Sequence, residues 1–257
     1  MHEGPHDMRN VSDNHLCTGC GACKSICPED AISMTFDSDG YLKPCISESC
    51  TLCGLCSERC PALHPKYVNN TPPKSYALWM PDDIRKESTS GGAFSLFALS
   101  TLKKNGVVFG AAWTDDFNLR ITSVNNAEDL HRLRHSKYVQ SDASESYAEV
   151  KTLLETGTAV LYSACPCQVA GLNSYLNKEY PNLITIDILC GNVPSIKMFH
   201  KYLSEITDIT EIDDVVFRDG SLGNDPHNHR IKYKDGRSEL KSKWTGDPYQ
   251  KACHSPN

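Results

Sequence analysis

The sequence predicts a chain in two parts, a small α+β module followed by an α/β domain with a mostly parallel sheet. Two observations predict this division. Nine of the 13 cysteines lie within the first 60 residues, and beyond them apolar runs of strand length alternate with helical patterns. We therefore expect a module over residues 1–63, a linker over 64–74 and the α/β domain over 75–257.

The module is organised around a cysteine pattern that occurs twice, 33 residues apart. Each copy reads C-x-x-C-x-x-C-x-x-x-C-P, the spacing of bacterial proteins that hold two iron–sulfur cubanes, in which the fourth cysteine of each run ligates the other cluster. Zinc is the alternative, but zinc has no need of a third cysteine and a cysteine–proline end in both copies. The predicted ligand sets are Cys17, Cys20, Cys23 and Cys60 for the first 4Fe–4S cluster, and Cys50, Cys53, Cys56 and Cys27 for the second.

The segment between the two cysteine runs predicts a hairpin. Residues 31–36 and 41–46 alternate apolar and polar side chains, and the Asp-Ser-Asp-Gly sequence at 37–40 favours a turn. Cys45 lies outside the ligand pattern, and we predict that it is a small buried apolar residue. With this hairpin, the whole stretch resembles a two-cluster bacterial ferredoxin.

Composition and charge argue against several classes of protein. The net charge is −6 and the acidic excess lies in the cysteine module, so nucleic acid is not an expected partner. The N-terminus lacks the basic start and apolar core of a signal peptide, and no window approaches the ~18 apolar residues of a transmembrane helix. Reduced thiols fit the cytoplasm. We expect a cytoplasmic protein whose partner is a redox protein or a small redox cofactor.

The α/β domain is predicted from its alternating patterns. The continuous or alternating apolar runs of the predicted strands are residues 75–79, 107–113, 119–124, 158–163 and 183–189. The predicted helices are residues 92–104, 126–134 and 145–156, with two more that open at Pro166 and Pro194. After Asp214, short strands predict an antiparallel appendage.

Three loops of this domain carry chemistry. Residues 88–92 read Ser-Thr-Ser-Gly-Gly before a helix, which favours anion binding by free backbone N–H groups, with an ordinary N-cap as the alternative. Cys165 and Cys167 follow one predicted strand and Cys190 follows the next, so parallel strands would bring them to the same ligand-binding edge. These three cysteines stay open to three interpretations: buried structural thiols, contacts to a redox cofactor, or ligands of a further cluster.

Four stretches of the domain resemble the beta-subunit family of coenzyme F420 hydrogenases and dehydrogenases. They are S-T-S-G-G-A-F at 88–94, S-K-Y-V-Q-S at 136–141, P-C-Q-V-A-G-L at 166–172 and C-G-N-V-P-S at 190–195. The resemblance implies an oxidoreductase that binds FAD and passes electrons between iron–sulfur clusters and a small redox substrate such as coenzyme F420. It also extends to sulfite-reducing and chlorophyll-pigment-reducing enzymes, so it does not select one substrate.

The resemblance implies a flavin site but no assigned catalytic residue. By position, the cofactor-binding residues would be Ser90, Gly91, Gly92, Ser136, Lys137, Tyr138, Gln140, Pro166, Cys167 and Gln168. Two motifs depart from the family: Ala164-Cys165 stands where Gly-Thr is usual, and Gly191-Asn192 stands where His-Gly is usual. We also expect a C-terminal truncation relative to the family. The alternative function is a non-catalytic electron-transfer subunit of a larger redox complex, without flavin.

Overall fold

The computed structural model describes residues 16–66, 72–219 and 228–241. Its helices are α1 (Ala22–Ile26), α2 (Leu55–Glu58), α3 (Asp82–Lys86), α4 (Ala93–Leu102), α5 (Ser146–Glu155), α6 (Pro166–Leu176) and α7 (Ile196–Ser204). Its strands are β1 (Ile32–Phe36), β2 (Leu42–Ile46), β3 (Val107–Trp113), β4 (Leu119–Val124), β5 (Val160–Ala164), β6 (Leu183–Asp187), β7 (Ile212–Phe217), β8 (His229–Tyr233) and β9 (Ser238–Lys241). None of the helices within these three ranges has the length and apolar character needed to span a bilayer.

The predicted hairpin of the module is confirmed. Strands β1 and β2 pair antiparallel, with Phe36 opposite Leu42. The Asp37 carboxylate closes the turn by accepting the backbone N–H of Tyr41 at 2.9 Å. The prediction for Cys45 is wrong, because this residue is exposed. It lies opposite Ser33, on the outer face of a hairpin too small to cover both of its sides.

The central sheet has the order β4-β3-β5-β6. Strand β3 runs parallel to β5, and β5 runs parallel to β6, while β4 pairs antiparallel with β3 at one edge. The predicted fold class is therefore confirmed: an α+β cysteine module precedes a domain with a mixed, mostly parallel sheet. Parallel neighbours place the chain segments that follow β5 and β6 at the same carboxyl edge.

Three element predictions for this domain are wrong. Residues 75–79 form no strand, and Trp79 is 72% exposed. The alternating pattern favours a strand, but no other strand of the described residues pairs with this segment. Residues 126–134 form only a single 3₁₀ turn, Asp129–Arg132. Strand β6 is not buried: it is the edge of the sheet and Ile184 is 47% exposed, since no element covers its outer face in the part of the chain that the structure describes.

The appendage is confirmed as three antiparallel strands, in the order β7-β8-β9. It shares a hydrophobic core with α7, whose buried face carries Ile196, Phe199 and Leu203. Trp113 of β3 stacks on Phe199 with ring centroids 5.2 Å apart. The stack links α7 to the central sheet, and the appendage packs on α7.

The cysteine module packs into the α/β domain rather than lying beside it. Ala22 of α1 belongs to the main hydrophobic core together with Tyr147 of α5. The Tyr147 hydroxyl donates to the backbone carbonyl of Cys20 at 2.6 Å, and the Ser25 hydroxyl donates to the carbonyl of Ser144 at 2.6 Å. These contacts fix the first cysteine run against the sheet domain.

We expect Tyr147→Phe to destabilise the protein by about 1–3 kcal/mol, because the change removes a buried donor and leaves two carbonyl acceptors, those of Cys20 and Gln168, less satisfied. Chemical denaturation followed by far-UV circular dichroism measures the difference. The matched control is Tyr180→Phe, whose hydroxyl makes only an exposed contact with Glu155 at 3.4 Å and should change stability by less than about 0.5 kcal/mol. Equal effects of the two variants would contradict the role of Tyr147.

Candidate cofactor site

One small cavity of the module is surrounded by four cysteines from both runs. They are Cys17, Cys20, Cys23 and Cys60. Burial, with smaller contributions from the neighbouring thiols, raises the pKa of Cys20 to about 12. Burial also raises the pKa of Cys23. Iron would have to displace the protons of these thiols in order to bind them as thiolates.

Three of the remaining cysteines, Cys27, Cys50 and Cys56, form a second, more open group. The pKa of Cys56 is raised mainly by burial, with smaller contributions from the nearby thiols of Cys50 and Cys27. The Ala31 backbone N–H donates to the Cys27 sulfur at 3.3 Å, a contact of the kind that tunes cluster potentials. Cys53 is exposed. Cys27 of the first run thus lies with the cysteines of the second run.

Across residues 16–66, 72–219 and 228–241, no three His, Cys, Asp or Glu side chains converge on a site for a single metal ion. A cubane binds each of its four thiolates to a different iron. The four thiols around the small cavity come from both cysteine runs, which fits the ligand set of a two-cluster 4Fe–4S domain.

A cavity of about 440 Å³ opens at the carboxyl edge of β5, within the size range of small-molecule sites. It brings together two of the sequence stretches, because the Ser136 backbone N–H donates to the Thr89 hydroxyl at 3.0 Å. Six of the ten predicted flavin residues line it. They are Ser90, Gly91, Gly92, Ser136, Lys137 and Gln168.

Glycines at the start of α4 are required by the shape of this cavity. A Cβ atom on Gly91 would lie 2.3 Å from the Leu78 carbonyl oxygen, a backbone atom that cannot easily move. Gly92 caps the helix with φ +90°, which favours glycine. The segment around Leu78 is thus a wall of the cavity. The first backbone N–H groups of α4 lie at the end of the 88–92 loop, which also lines the cavity.

Two cationic side chains reach the same cavity wall. The Lys137 ammonium donates to the carbonyls of Arg134 and His135 at 2.7 and 3.4 Å, and burial lowers its pKa to about 8. The Arg134 Nε atom is buried and has no hydrogen-bond partner among the residues that the structure describes. The Arg134 guanidinium pairs with Glu87 through Nη1 at 3.7 Å, so its unpaired Nε–H and the buried Lys137 ammonium are the donors that suit a bound anionic group such as a diphosphate.

The other four predicted flavin residues lie outside the large cavity. Tyr138 packs edge-on against Phe217, with ring centroids 5.5 Å apart. The Gln140 amide oxygen accepts a backbone N–H of the cysteine module at 2.7 Å. Pro166 and Cys167 line a second cavity of about 270 Å³ between the module and the α/β domain. Gln140 also borders this second cavity.

The three cysteines that the sequence left open meet between the two cavities. Cys165 lines the large cavity, whereas Cys167 and Cys190 line the second one, which also includes Cys17. Interaction between the two side chains lowers the pKa of Cys190 to about 7 and raises the pKa of Cys165. A neighbouring Cys167 thiolate would raise the pKa of Cys20, so Cys167 lies close to the first cysteine group.

Sequence reasoning missed several residues of the large cavity. Arg134 and Thr89 line it but were not among the predicted residues. Thr89 belongs to the S-T-S-G-G-A-F stretch, so the sequence contained a signal for it. Arg134 lies just before the S-K-Y-V-Q-S stretch, where only the tertiary fold distinguishes it from a surface arginine.

Two known protein families match this chain, one at the cysteine module and one in the α/β domain. Residues 16–63 match the family described as 4Fe-4S dicluster domain. Residues 157–256 match the family described as the C-terminal part of the coenzyme F420 hydrogenase/dehydrogenase beta subunit. Over 172 residues, which are 64% of this chain, the sequence is 31% identical to the Coenzyme F420-dependent sulfite reductase of Methanocaldococcus jannaschii. The chain spans only about a quarter of that relative's length, 26%.

Among solved structures, the F420-reducing [NiFe] hydrogenase complex from Methanosarcina barkeri contains a chain with a TM-score of 0.48 and 14% identity. The match covers 69% of this chain and 61% of that chain. The two sequence families are matched in the predicted order. The chain thus combines a segment that matches a 4Fe–4S dicluster domain with a segment that matches the C-terminal part of the coenzyme F420 hydrogenase/dehydrogenase beta subunit, and it is related to an F420-dependent sulfite reductase.

Proposed function

We propose that this chain is an iron–sulfur flavoprotein oxidoreductase that binds FAD in the large cavity. FAD would exchange single electrons with the clusters and two electrons with a small redox substrate. The observation that carries the proposal is the large cavity itself. It combines a glycine loop at a helix N-terminus with two cationic side chains. Cys165 lines it, and the second cavity contains Cys167 and Cys190 together with Cys17 of the first cysteine group.

The proposal includes crossed ligation of the two clusters. Cys60 belongs to the second run but lines the small cavity of the first group, and Cys27 belongs to the first run but influences Cys56 of the second. Each cluster would therefore take three thiolates from one run and the fourth from the other. The proposed ligands are Cys17, Cys20, Cys23 and Cys60 for one cluster, and Cys50, Cys53, Cys56 and Cys27 for the other.

The protein's own residues would hold FAD through its diphosphate. Backbone N–H groups at Gly91 and Gly92 would bind phosphate oxygens. Lys137 keeps one N–H free of its two carbonyl partners, and Arg134 offers its unpaired Nε–H. Gln168 has a different part in the site. Its amide already bonds to the Cys165 N–H and to Ser141, so we propose that it positions the loop rather than contacts the flavin.

The substrate proposal rests on the relatives. The sulfite reductase that shares 172 aligned residues is named for coenzyme F420. We propose a deazaflavin of that type as the substrate, with a redox protein as the source or acceptor of cluster electrons. Since the chain spans a quarter of the reductase, sulfite reduction itself is not part of the proposal.

Cofactor analysis tests the proposal. We expect protein that is purified anaerobically and reconstituted with iron and sulfide to contain about eight irons per chain and about one FAD. Extracted flavin is identified by chromatography. About eight irons without flavin, under saturating FAD, would favour the alternative of an electron-transfer subunit that uses no flavin.

Gly91→Ala should weaken FAD binding by about tenfold or more. The added methyl group would lie 2.3 Å from the Leu78 carbonyl oxygen, so the cavity wall must move away from the position that receives the phosphate. Titration of FAD fluorescence measures the dissociation constant. The matched control is Gly191→Ala, where an added Cβ meets nothing within 4 Å, and its FAD affinity should equal that of the wild type.

A further inference from the structure

Tyr76 is a largely exposed aromatic residue at the large cavity. It lines the cavity together with Leu78, and it is 84% exposed. A tyrosine ring that is open to solvent on a cavity wall offers a flat apolar face, which a planar ring of a bound molecule can cover. The segment that was predicted as a strand thus brings an aromatic surface to the proposed FAD site.

The segment that carries Tyr76 is fixed to the glycine loop. The Met80 backbone N–H donates to the Gly91 carbonyl at 2.9 Å, and a Cβ on Gly91 would lie 2.3 Å from the Leu78 carbonyl oxygen. Gly92 is also close to the segment, since its Cβ would lie 2.8 Å from the Met80 Cγ. The backbone that follows Tyr76 is therefore anchored beside the loop that is proposed to bind phosphate, which lowers the entropic cost of ordering the ring against a ligand.

The cavity extends from one face of the central sheet to the other. Helix α4 packs on the face that carries Val108 and Leu161, whereas α6 and α1 of the cysteine module pack on the opposite face, with Phe109 and Tyr162. Residues at the starts of both α4 and α6 line the cavity. The glycine loop leads into α4, so the Tyr76 segment that is bonded to it lies at the end of the cavity away from the cysteine module.

The position of the cysteine module decides which part of FAD reaches Tyr76. Electron exchange with the clusters requires the isoalloxazine ring at the other end of the cavity, where Cys165 and Gln168 line it. The diphosphate lies between the two ring systems of FAD, and its proposed partners are the glycine loop and the two cationic side chains. The adenosine part then extends to the end of the cavity where Tyr76 stands.

We propose that the Tyr76 ring stacks on the adenine of FAD and makes the cavity select FAD over FMN. This role rests on the proposed function, because it requires FAD in the large cavity. FMN has the same isoalloxazine ring but no adenine, so it gains nothing from the contact. Stacking of a base on an aromatic side chain changes affinity by about tenfold or more when the side chain is truncated to alanine.

The exposure of Tyr76 argues against a structural role for the ring. Since 84% of the residue is open to solvent, its truncation removes little packing from the flavin-free protein. Tyr76→Ala should therefore change the melting temperature of that protein by less than about 2 °C. A loss of ligand affinity in this variant then reports on the contact with the ligand and not on the fold.

Calorimetric titration of cluster-loaded, flavin-free protein tests the contact. We expect Tyr76→Ala to weaken FAD binding by about tenfold and to leave FMN binding unchanged. Tyr76→Phe keeps the ring and should bind both flavins like the wild type. The matched control is Phe36→Ala, which removes an aromatic ring that is 50% exposed on β1 of the cysteine module, and it should change neither affinity.

A second measurement isolates the adenosine part. ADP and pyrophosphate both carry a diphosphate, but only ADP carries adenine, and each is added as a competitor of FAD. In the wild type, ADP should displace FAD at about tenfold lower concentration than pyrophosphate does. Tyr76→Ala should lose this advantage of ADP, and Tyr76→Phe should keep it.

The absence of flavin binding would overturn more than this contact. If neither FAD nor FMN binds to the wild type, the proposed function fails and the role of Tyr76 fails with it. If FAD binds but Tyr76→Ala leaves its affinity unchanged, or weakens FAD and FMN equally, only the role of Tyr76 is overturned. Weak FAD binding to Tyr76→Phe as well would assign the contact to the hydroxyl group, which also overturns stacking.

Discussion

We expect a Cys60→Ser variant to lose the first iron–sulfur cluster, although Cys60 belongs to the second cysteine run. The expected iron content falls from about eight to about four per chain, because the serine hydroxyl is a poor substitute for a thiolate on iron. Cys60 is buried and lines the same small cavity as Cys17, Cys20 and Cys23. Iron analysis and electron paramagnetic resonance of the reduced protein measure the loss.

The reciprocal variant makes the test specific. Cys27→Ser should remove the cluster of the second run and leave the other one intact, since Cys27 lies with Cys56 and Cys50. Cys45→Ser is the matched control, because Cys45 is exposed on β2 and should keep about eight irons. Crossed ligation is contradicted if Cys60→Ser disturbs only the spectrum of the second-run cluster.

Lys137→Met should weaken FAD binding by about ten- to a hundredfold at pH 7, because the change removes a charge-assisted hydrogen bond to phosphate. The same substitution should stabilise the flavin-free protein. Burial lowers the pKa of Lys137 to about 8, so at pH 7 the folded state carries a desolvated charge whose cost is at most about 3 kcal/mol. Lys104→Met, at an exposed position, is the control and should change neither quantity.

The pH dependence of this variant follows from the direction of the shift. Between about pH 8 and the ordinary lysine pKa of ~10.4, the unfolded chain binds the proton that folded Lys137 has lost. Wild-type stability should therefore rise with pH in this window relative to Lys137→Met. FAD affinity should fall in the same window, because the ammonium that binds phosphate becomes neutral. A flat affinity from pH 7 to 10 in the wild type would exclude Lys137 from the phosphate site.

The sequence predicted the elements whose signals are local. Strands β3 and β4 were predicted with the bounds that the structure has, since apolar runs and alternation report burial directly. Helix α6 buries Val169, Leu172 and Leu176 as its pattern predicted. The cysteine spacing likewise predicted the members of the first cysteine group. Cys60 belongs to the second run, and the fold brings it to the cavity of the first.

The wrong predictions have one physical cause. A sequence pattern does not show which other segment of the chain its residues will pack against. Residues 75–79 alternate apolar and polar side chains like a strand, but no strand in the described ranges pairs with them. They form part of the wall of the large cavity instead. Strand β6 reads as buried, yet no element covers its outer face within the described ranges. Tyr138 and Gln140 stand in a motif with Lys137, but Tyr138 packs in the hydrophobic core and Gln140 at the module interface, because adjacent residues in extended segments point in different directions.

The two copies of the cysteine repeat differ in what surrounds them. Gly19 and Leu52 occupy equivalent positions, both with positive φ, but a Cβ on Gly19 would lie 2.6 Å from the Leu42 carbonyl oxygen, whereas the Leu52 side chain is 74% exposed. One residue further on in each copy, Cys20 is packed against the sheet domain and Cys53 is exposed. The two copies of the duplicated repeat thus differ in exposure: the proposed first cluster would lie against the sheet domain and the proposed second cluster nearer to solvent. The identity of one residue, glycine or leucine, distinguishes the buried copy from the exposed one.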